Sequence, residues 1–231
     1  LSARSADSST PTMRSASNTK VGRLRSPDSV TLPAAPDRTR LTHALTLKNV
    51  SYSYPEADRA AIRALIENWA LWRDAGDWER FATVWHEDGW MTATWFQGPF
   101  EEFIRVTIEG WNKGVSILHF LGGSSIEVQG HRAIAQTKMT ISQRGPVEGV
   151  LCDVVCTGRF YDFFEERNGR WGLVHRQPIY EKDRIDPLDP SATLKLDADA
   201  LAQFPEGYRH LAYIQTRIGY KVKMDMPQLK G

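Results

Sequence analysis

The stretch Ala70-Leu-Trp-Arg-Asp-Ala-Gly-Asp-Trp-Glu-Arg-Phe-Ala-Thr-Val-Trp85 joins one amphipathic helix to the next and sets the frame for the chain. Upstream of it, Ile62, Leu65, Ile66, Trp69 and Trp72 recur at the spacing of a helix with one buried face. That helix ends at about Asp74, with Gly76 placed to stop it in the left-handed conformation. Asp77 is placed to cap a second helix, in which Trp78, Phe81, Val84 and Trp85 fall at helical spacing. Seven of the eight tryptophans lie between Trp69 and Trp111, so the aromatic mass gathers around this turn.

Working outward, a strand is expected over residues 89–96. Gly98-Pro99 then opens a third helix with Phe100, Phe103, Ile104, Ile108 and Trp111 on its apolar side. Beyond Gly114 the pattern changes to four long β segments, at residues 115–128, 131–144, 148–166 and 171–184. The breaks fall at Gln129-Gly130, Gly145-Pro146 and Asn168-Gly169, and such short connections make neighbouring strands antiparallel. Pro178 reads as a bulge or an edge position, because it cannot donate to a ladder. The expected fold is α+β: three N-terminal helices packed on a curved antiparallel sheet, forming a cone-shaped barrel with an apolar pocket.

The flanks differ from this core. Residues 1–50 are rich in Ser, Thr, Arg and Pro with no hydrophobic periodicity, and read as a disordered segment. The chain begins at Leu1, which reads as a fragment, a processed form or an upstream translation, with Met13 as a candidate start. Residues 51–186 form the expected domain, and residues 187–231 a helical extension with short helices at 197–204 and 208–220. That extension either folds over the domain or packs on a partner chain.

Composition excludes several classes. A formal net charge of +1 offers no electrostatic handle for nucleic acid or an acidic membrane surface. The longest apolar runs are too short for a transmembrane helix. Cys152 and Cys156, if they share a strand, lie roughly 13 Å apart, beyond the ~7 Å that a disulfide spans. They read as apolar fillers in a reducing, cytoplasmic setting. No phosphate-binding glycine loop and no metal-ligand spacing is present, so neither cofactor nor metal is expected.

From about residue 56 to 186 the chain resembles the SnoaL-like branch of the nuclear-transport-factor-2-like superfamily, and the order of elements matches throughout. The end of the first helix resembles scytalone dehydratase in its Asp-x-x-Asp-Trp-x-Arg pattern, here Asp74, Asp77, Trp78 and Arg80. The following run, Arg80-Phe-Ala-Thr-Val-Trp85, is similar to that of lindane dehydrochlorinase. The resemblance implies a catalytic aspartate at Asp74 and a catalytic histidine at His119, self-association as a homodimer through the outer sheet face, and no cofactor. Arg73 stands where scytalone dehydratase has a tyrosine, a second tyrosine of that enzyme falls near Ala93, and its second histidine has no counterpart between His131 and His175. These departures argue against scytalone as the substrate.

The residues themselves allow two readings each. Asp74, in the last turn of a helix, faces the negative end of the dipole at a cost of ~0.3–1 kcal/mol. It is either a solvated turn residue or a carboxylate that orients an imidazole. His119 alternates with Val115, Ile117 and Leu121 on one face of its strand, either as a packed core histidine or as a base near pH 7. His86 and Asp88 read as surface turn residues, Asp77 as a cap, and His131 as a solvated turn. His175 lies on either face. Trp72, Trp95, Trp111, Arg159, Tyr161 and Tyr180 are the candidate substrate-binding residues, set against the alternative that the tryptophans are core and the strand residues face outward.

These readings lead to a cofactor-independent lyase, of dehydratase or dehydrohalogenase type, or an isomerase, acting on a small apolar and cyclic molecule. The alternative is a non-catalytic binding or assembly module of the same fold.

Overall fold

The computed structural model describes residues 55–228. The expectation of disorder for residues 1–50 lies outside the described residues. Helix α1 (Pro55–Ala75) buries Ile62, Ile66, Trp69 and Ala70 along one stripe. It ends in two reversed hydrogen bonds, Gly76 N to the Arg73 carbonyl at 3.3 Å and Asp77 N to the Trp72 carbonyl at 2.9 Å. This is the glycine-terminated stop expected, with Gly76 at φ +72°. A Cβ there would meet the Trp111 ring at 3.2 Å, so packing as well as φ requires glycine.

Asp77 caps α2 (Trp78–Ala82), accepting from Arg80 N at 3.2 Å. The helix is shorter than its spacing implied. Trp85 already opens strand β1 (Trp85–Thr92), which therefore starts earlier than residues 89–96. Strand β2 (Gln97–Pro99) and α3 (Phe100–Asn112) follow, then β3 (Ser116–Gln129), β4 (Arg132–Val147), β5 (Val150–Arg167) and β6 (Arg170–Pro187). Gly145-Pro146 does not break the chain. Both residues stay inside β4, paired with Cys152 and Leu151, and the turn falls at Glu148-Gly149, with φ +47° and +80°. That two-residue turn of positive φ matches the strand twist, as does Asn168-Gly169.

The sheet order is β2-β1-β6-β5-β4-β3. Its ladders are antiparallel, except that β1 runs parallel to β6. The long strands curl at irregularities between Leu121 and Ser124 in β3 and beside Gly158 in β5. At Gly158 the curl needs glycine, since a Cβ would lie 2.1 Å from the Ile179 carbonyl oxygen. Pro178 sits in β6 beyond the last residue that β1 pairs, where the missing N–H costs no ladder bond.

The C-terminal extension folds onto its own domain. Asp197 caps α4 (Ala198–Ala202), and a 3₁₀ turn (Glu206–Tyr208) leads into α5 (Arg209–Arg217). Leu211, Ala212, Tyr213, Ile214 and Gln215 of α5 are buried against β5 and β6. The last described residues run beside β6, where Tyr180 N donates to the Pro227 carbonyl at 3.0 Å. Cys152 and Cys156 are buried free thiols, with that of Cys156 pushed well up by burial. Among the described residues no helix is long and apolar enough to cross a membrane.

Candidate active site

Strand β3 ends the sheet, so one side of its backbone has no strand partner among the described residues. Helix α1 runs along that edge and answers its polar groups with side chains. Arg59 Nε donates to the Ile126 carbonyl at 3.3 Å, and Arg63 Nη2 to the Gly122 carbonyl at 3.3 Å. At the helix end, Arg73 Nη1 donates to the Ile117 carbonyl at 3.3 Å, and Asp74 Oδ2 accepts the His119 backbone N–H at 2.6 Å. This edge contact brings Asp74 against His119, and it uses a main-chain group that any residue at 119 would offer.

The side chains complete the pair. His119 Nδ1 lies 2.8 Å from Asp74 Oδ1, and Arg73 Nη1 reaches the same oxygen at 3.2 Å. The aspartate side chain is 12% exposed and the histidine 6%. A carboxylate there accepts, so Nδ1 carries the proton and Nε2 keeps its lone pair. Nε2 has no hydrogen-bond partner among the described residues, and His119 lines a cleft. The ring is held from behind by Trp69, edge to face at 5.2 Å between centroids.

Burial pushes the His119 pKa below its ordinary 6.5, and the nearby charges of Arg73 and Arg176 act the same way against the hydrogen bond to Asp74. Burial also pushes the Asp74 carboxyl up. The donors from His119 and Arg73 outweigh that and hold it below the usual carboxylate range. At neutral pH the pair is an anionic aspartate and a neutral imidazole. A second buried pair lies deeper. Asp162 and Arg176, both fully enclosed, meet through two bonds of 2.7 Å. The Arg176 guanidinium sits between the rings of Trp69 and Phe160, at 4.3 and 4.1 Å, and its Nη1 is enclosed without a hydrogen-bond partner.

The cleft is narrow, with an internal volume of about 50 Å³. Its walls come from α1, α3, β1 and the long strands, and α5 closes one side with Leu211 and Gln215. A second cleft, walled by Trp111, Val115, Ile218 and Tyr220, shares Arg73, Trp95, Ile117, Gln143 and Gln215 with it. Among the described residues no three His, Cys, Asp or Glu side chains converge as a metal site would require.

Residues 56–177, more than half of the chain, match the SnoaL-like domain family. The chain belongs to that family. Pea pathogenicity protein 2 of the fungus Fusarium vanettenii is 39% identical over 174 residues, covering 74% of this chain and 75% of that protein. An uncharacterized protein of Emericella nidulans is 35% identical over 179 residues, with 74% and 75% covered. A solved putative scytalone dehydratase from Novosphingobium aromaticivorans has a TM-score of 0.48 at 17% identity, covering 59% of this chain and 97% of that one. A hexachlorocyclohexane dehydrochlorinase from Novosphingobium barchaimii has a TM-score of 0.47 at 17% identity, with 61% and 97% covered.

Within this SnoaL-like domain the expected substrate-binding residues divide by face. Trp95 lines both clefts, Tyr180 the first and Trp111 the second. Tyr180 is enclosed, and burial keeps its phenol protonated against a hydrogen bond with Thr94. Arg159 and Tyr161 do not reach the cleft. Their parity puts them on the outer sheet face, where Arg159 pairs with Glu181 at 2.7 Å and Tyr161 packs on Phe163. Trp72 lines neither cleft and lies under the Arg80 guanidinium. His175 is also on the outer face, stacked on Phe163 and bonded to Thr92.

His86 is a correction of another kind. It is buried within β1, bonded to the Glu165 carbonyl at 2.8 Å and to Arg170 at 2.9 Å. Asp88 is an exposed ion-pair partner of Arg167, and the exposed His131 meets Glu166 through Nδ1 at 2.7 Å. Sequence reading gave no role to Arg73, Gln143, Gln215 or the Asp162–Arg176 pair. The last had one visible signal: an Asp and an Arg at inward parity on strands otherwise filled with aromatic and aliphatic residues.

Proposed function

We propose that this chain is a cofactor-independent lyase or isomerase in which His119 is the base and Asp74 orients it. The observation that carries this reading is the 2.8 Å contact of His119 Nδ1 with a carboxylate, which leaves Nε2 as an acceptor on a residue that lines an apolar-walled cleft. Nε2 takes a proton from a carbon of the ligand. In an elimination the C–H electron pair becomes a C=C bond as hydroxide or halide leaves the adjacent carbon. In an isomerase the imidazolium returns the proton to a different carbon. Asp74 stabilises the imidazolium formed in either case.

The ligand is a small, ring-bearing molecule, as the walls of Trp69, Trp95, Phe103, Ile117 and Ile141 favour. The test incubates the protein in D₂O with a panel of cyclic β-hydroxyketones and halocycloalkanes, and follows C–H exchange and alkene formation by NMR. His119→Ala is expected to slow the reaction of any accepted member at least about a hundredfold, the lower end for a general base. Unchanged turnover removes His119 from the chemistry.

A second reading, a binding or assembly module, is favoured by the outer side of the edge strand, where Leu118 and Phe120 are 62% and 72% exposed. Self-association of two copies through the outer sheet face fits either reading, and light scattering on the purified chain decides it.

A further inference from the structure

The clefts are walled by apolar groups, yet among the described residues the one charged side chain lining them is a cation: Arg73 lines both, and no described aspartate or glutamate lines either. Its side chain is 7% exposed. Of its five N–H donors, those on Nη1 are occupied by Asp74 Oδ1 and the Ile117 carbonyl, at 3.2 and 3.3 Å. Nε and Nη2 have no hydrogen-bond partner among the described residues, and neither is fully enclosed as Arg176 Nη1 is.

Asp74 cannot close the fork. Its Oδ2 is held by the His119 backbone N–H, and its Oδ1 is shared with the imidazole. Arg176 makes the contrast plain, since two bonds of 2.7 Å to Asp162 complete its fork and it lines neither cleft. Arg73 is therefore desolvated and only singly compensated, and burial lowers its pKa despite Asp74.

A second feature points the same way. Gln143 and Gln215 line both clefts beside Arg73. Gln215 is buried, and its Oε1 accepts the Thr94 hydroxyl at 2.7 Å, which leaves its amide N–H₂ as the free end. A guanidinium edge and an amide donor thus meet at the seam of two apolar clefts. That is the chemistry of a site for a planar anionic group on an otherwise apolar body.

We propose that Arg73 anchors a carboxylate, so that the ligand of this cleft is a small ring-bearing organic acid rather than a neutral hydrocarbon. The proposal deepens the reading of the cleft given above and rests on it for the identity of the site. Arg73 holds the acid group through Nε and Nη2, Gln215 adds an N–H, and the ring lies along Trp95 and Phe103 towards His119. The anchor fixes the ligand in the cleft without taking part in proton transfer.

The test compares two probes of one shape, cinnamate and cinnamyl alcohol, by calorimetry and by quenching of tryptophan fluorescence on the full chain. The wild type is expected to bind the acid at least tenfold more tightly than the alcohol. Arg73→Gln is expected to weaken the acid about tenfold to a hundredfold while leaving the alcohol unchanged, as loss of a charged hydrogen-bond partner implies. Equal affinities in the wild type, or an acid preference that survives Arg73→Gln, overturns the proposal. So does the lack of saturable binding of either probe at millimolar concentration. Should Arg73→Gln lose its circular-dichroism signature of folding, the wild-type ratio decides alone.

The ratio is read without turnover. Absence of acid preference, with turnover lost in His119→Ala, sinks only this inference. Acid preference with turnover intact in His119→Ala sinks only the elimination reading.

Discussion

Replacing Asp74 by asparagine tests the arrangement without knowledge of a substrate. The carboxylate accepts three donors: His119 Nδ1 at 2.8 Å, the His119 backbone N–H at 2.6 Å and Arg73 Nη1 at 3.2 Å. Asparagine fits the Nδ1–H tautomer neither way round. One orientation sets its N–H₂ against His119 Nδ1–H, and the other sets it against the backbone N–H of the edge strand. Once the ring changes tautomer, the two bonds to His119 become neutral at a loss of about 1 kcal/mol each, and the Arg73 bond is lost at roughly 1.5–3 kcal/mol. Arg73 is left without a carboxylate among the described residues, so the net loss is expected at about 3–5 kcal/mol.

That is a large share of the ~5–15 kcal/mol that holds a domain folded. Urea unfolding at constant m-value measures it. Nitrogen NMR of the imidazole gives the second readout. The wild type is expected as the Nδ1–H tautomer, and Asp74→Asn as the Nε2–H tautomer, which has no lone pair on Nε2. A change below about 0.5 kcal/mol, the ordinary range of a surface substitution, together with an unmoved tautomer, would refute the reasoning.

Three further outcomes are expected. The acid limb of kcat/KM against pH should lie below 6.5, because burial first, and then Arg73 and Arg176, lower the His119 pKa; a limb above 6.5 would remove His119 as the base. By linkage the unfolded ring takes its proton first, so the stability held in neutral His119 is complete above pH 6.5 and lost as pH falls towards the folded value. Asp162→Asn should cost about 3–5 kcal/mol in urea unfolding, since it leaves the enclosed Arg176 charge unpaired; a cost under 1 kcal/mol would mean that the guanidinium rests on its two aromatic rings alone. Asp183→Asn should speed hydrogen exchange across α5, because Asp183 accepts both His210 Nδ1 and Leu211 N at 2.8 Å; unchanged protection would show that the helix is held by its apolar face.

Much of the first helical turn was legible because its signals are local. The periodicity from Ile62 to Trp72, the glycine at 76 and the cap at Asp77 each act within a few residues, and each forms as read. The Asn168-Gly169 hairpin was legible for the same reason, as the two residues need positive φ and little else. Gly145-Pro146 misled because a proline in a strand matters only if its missing N–H was wanted by a neighbour, and β4 tolerates it. His86 misled because its burial comes from Glu165 and Arg170, far along the chain.

The sequence by itself determined the element types, the antiparallel order of the long strands and the residues able to bear chemistry, since periodicity, capping and turn stereochemistry are properties of short segments. Only the tertiary structure decided which of them meet. Parity along a strand names two faces but not which is inner, so Tyr180 and Tyr161 are separated by packing alone. Asp74 meets His119 because α1 lies along the open edge of β3, where unpaired backbone groups must find partners over a span of 45 residues. Arg73 became the charged residue of the clefts for the same reason: its neighbour is claimed by the imidazole, and what remains of its fork faces the space between helix and sheet.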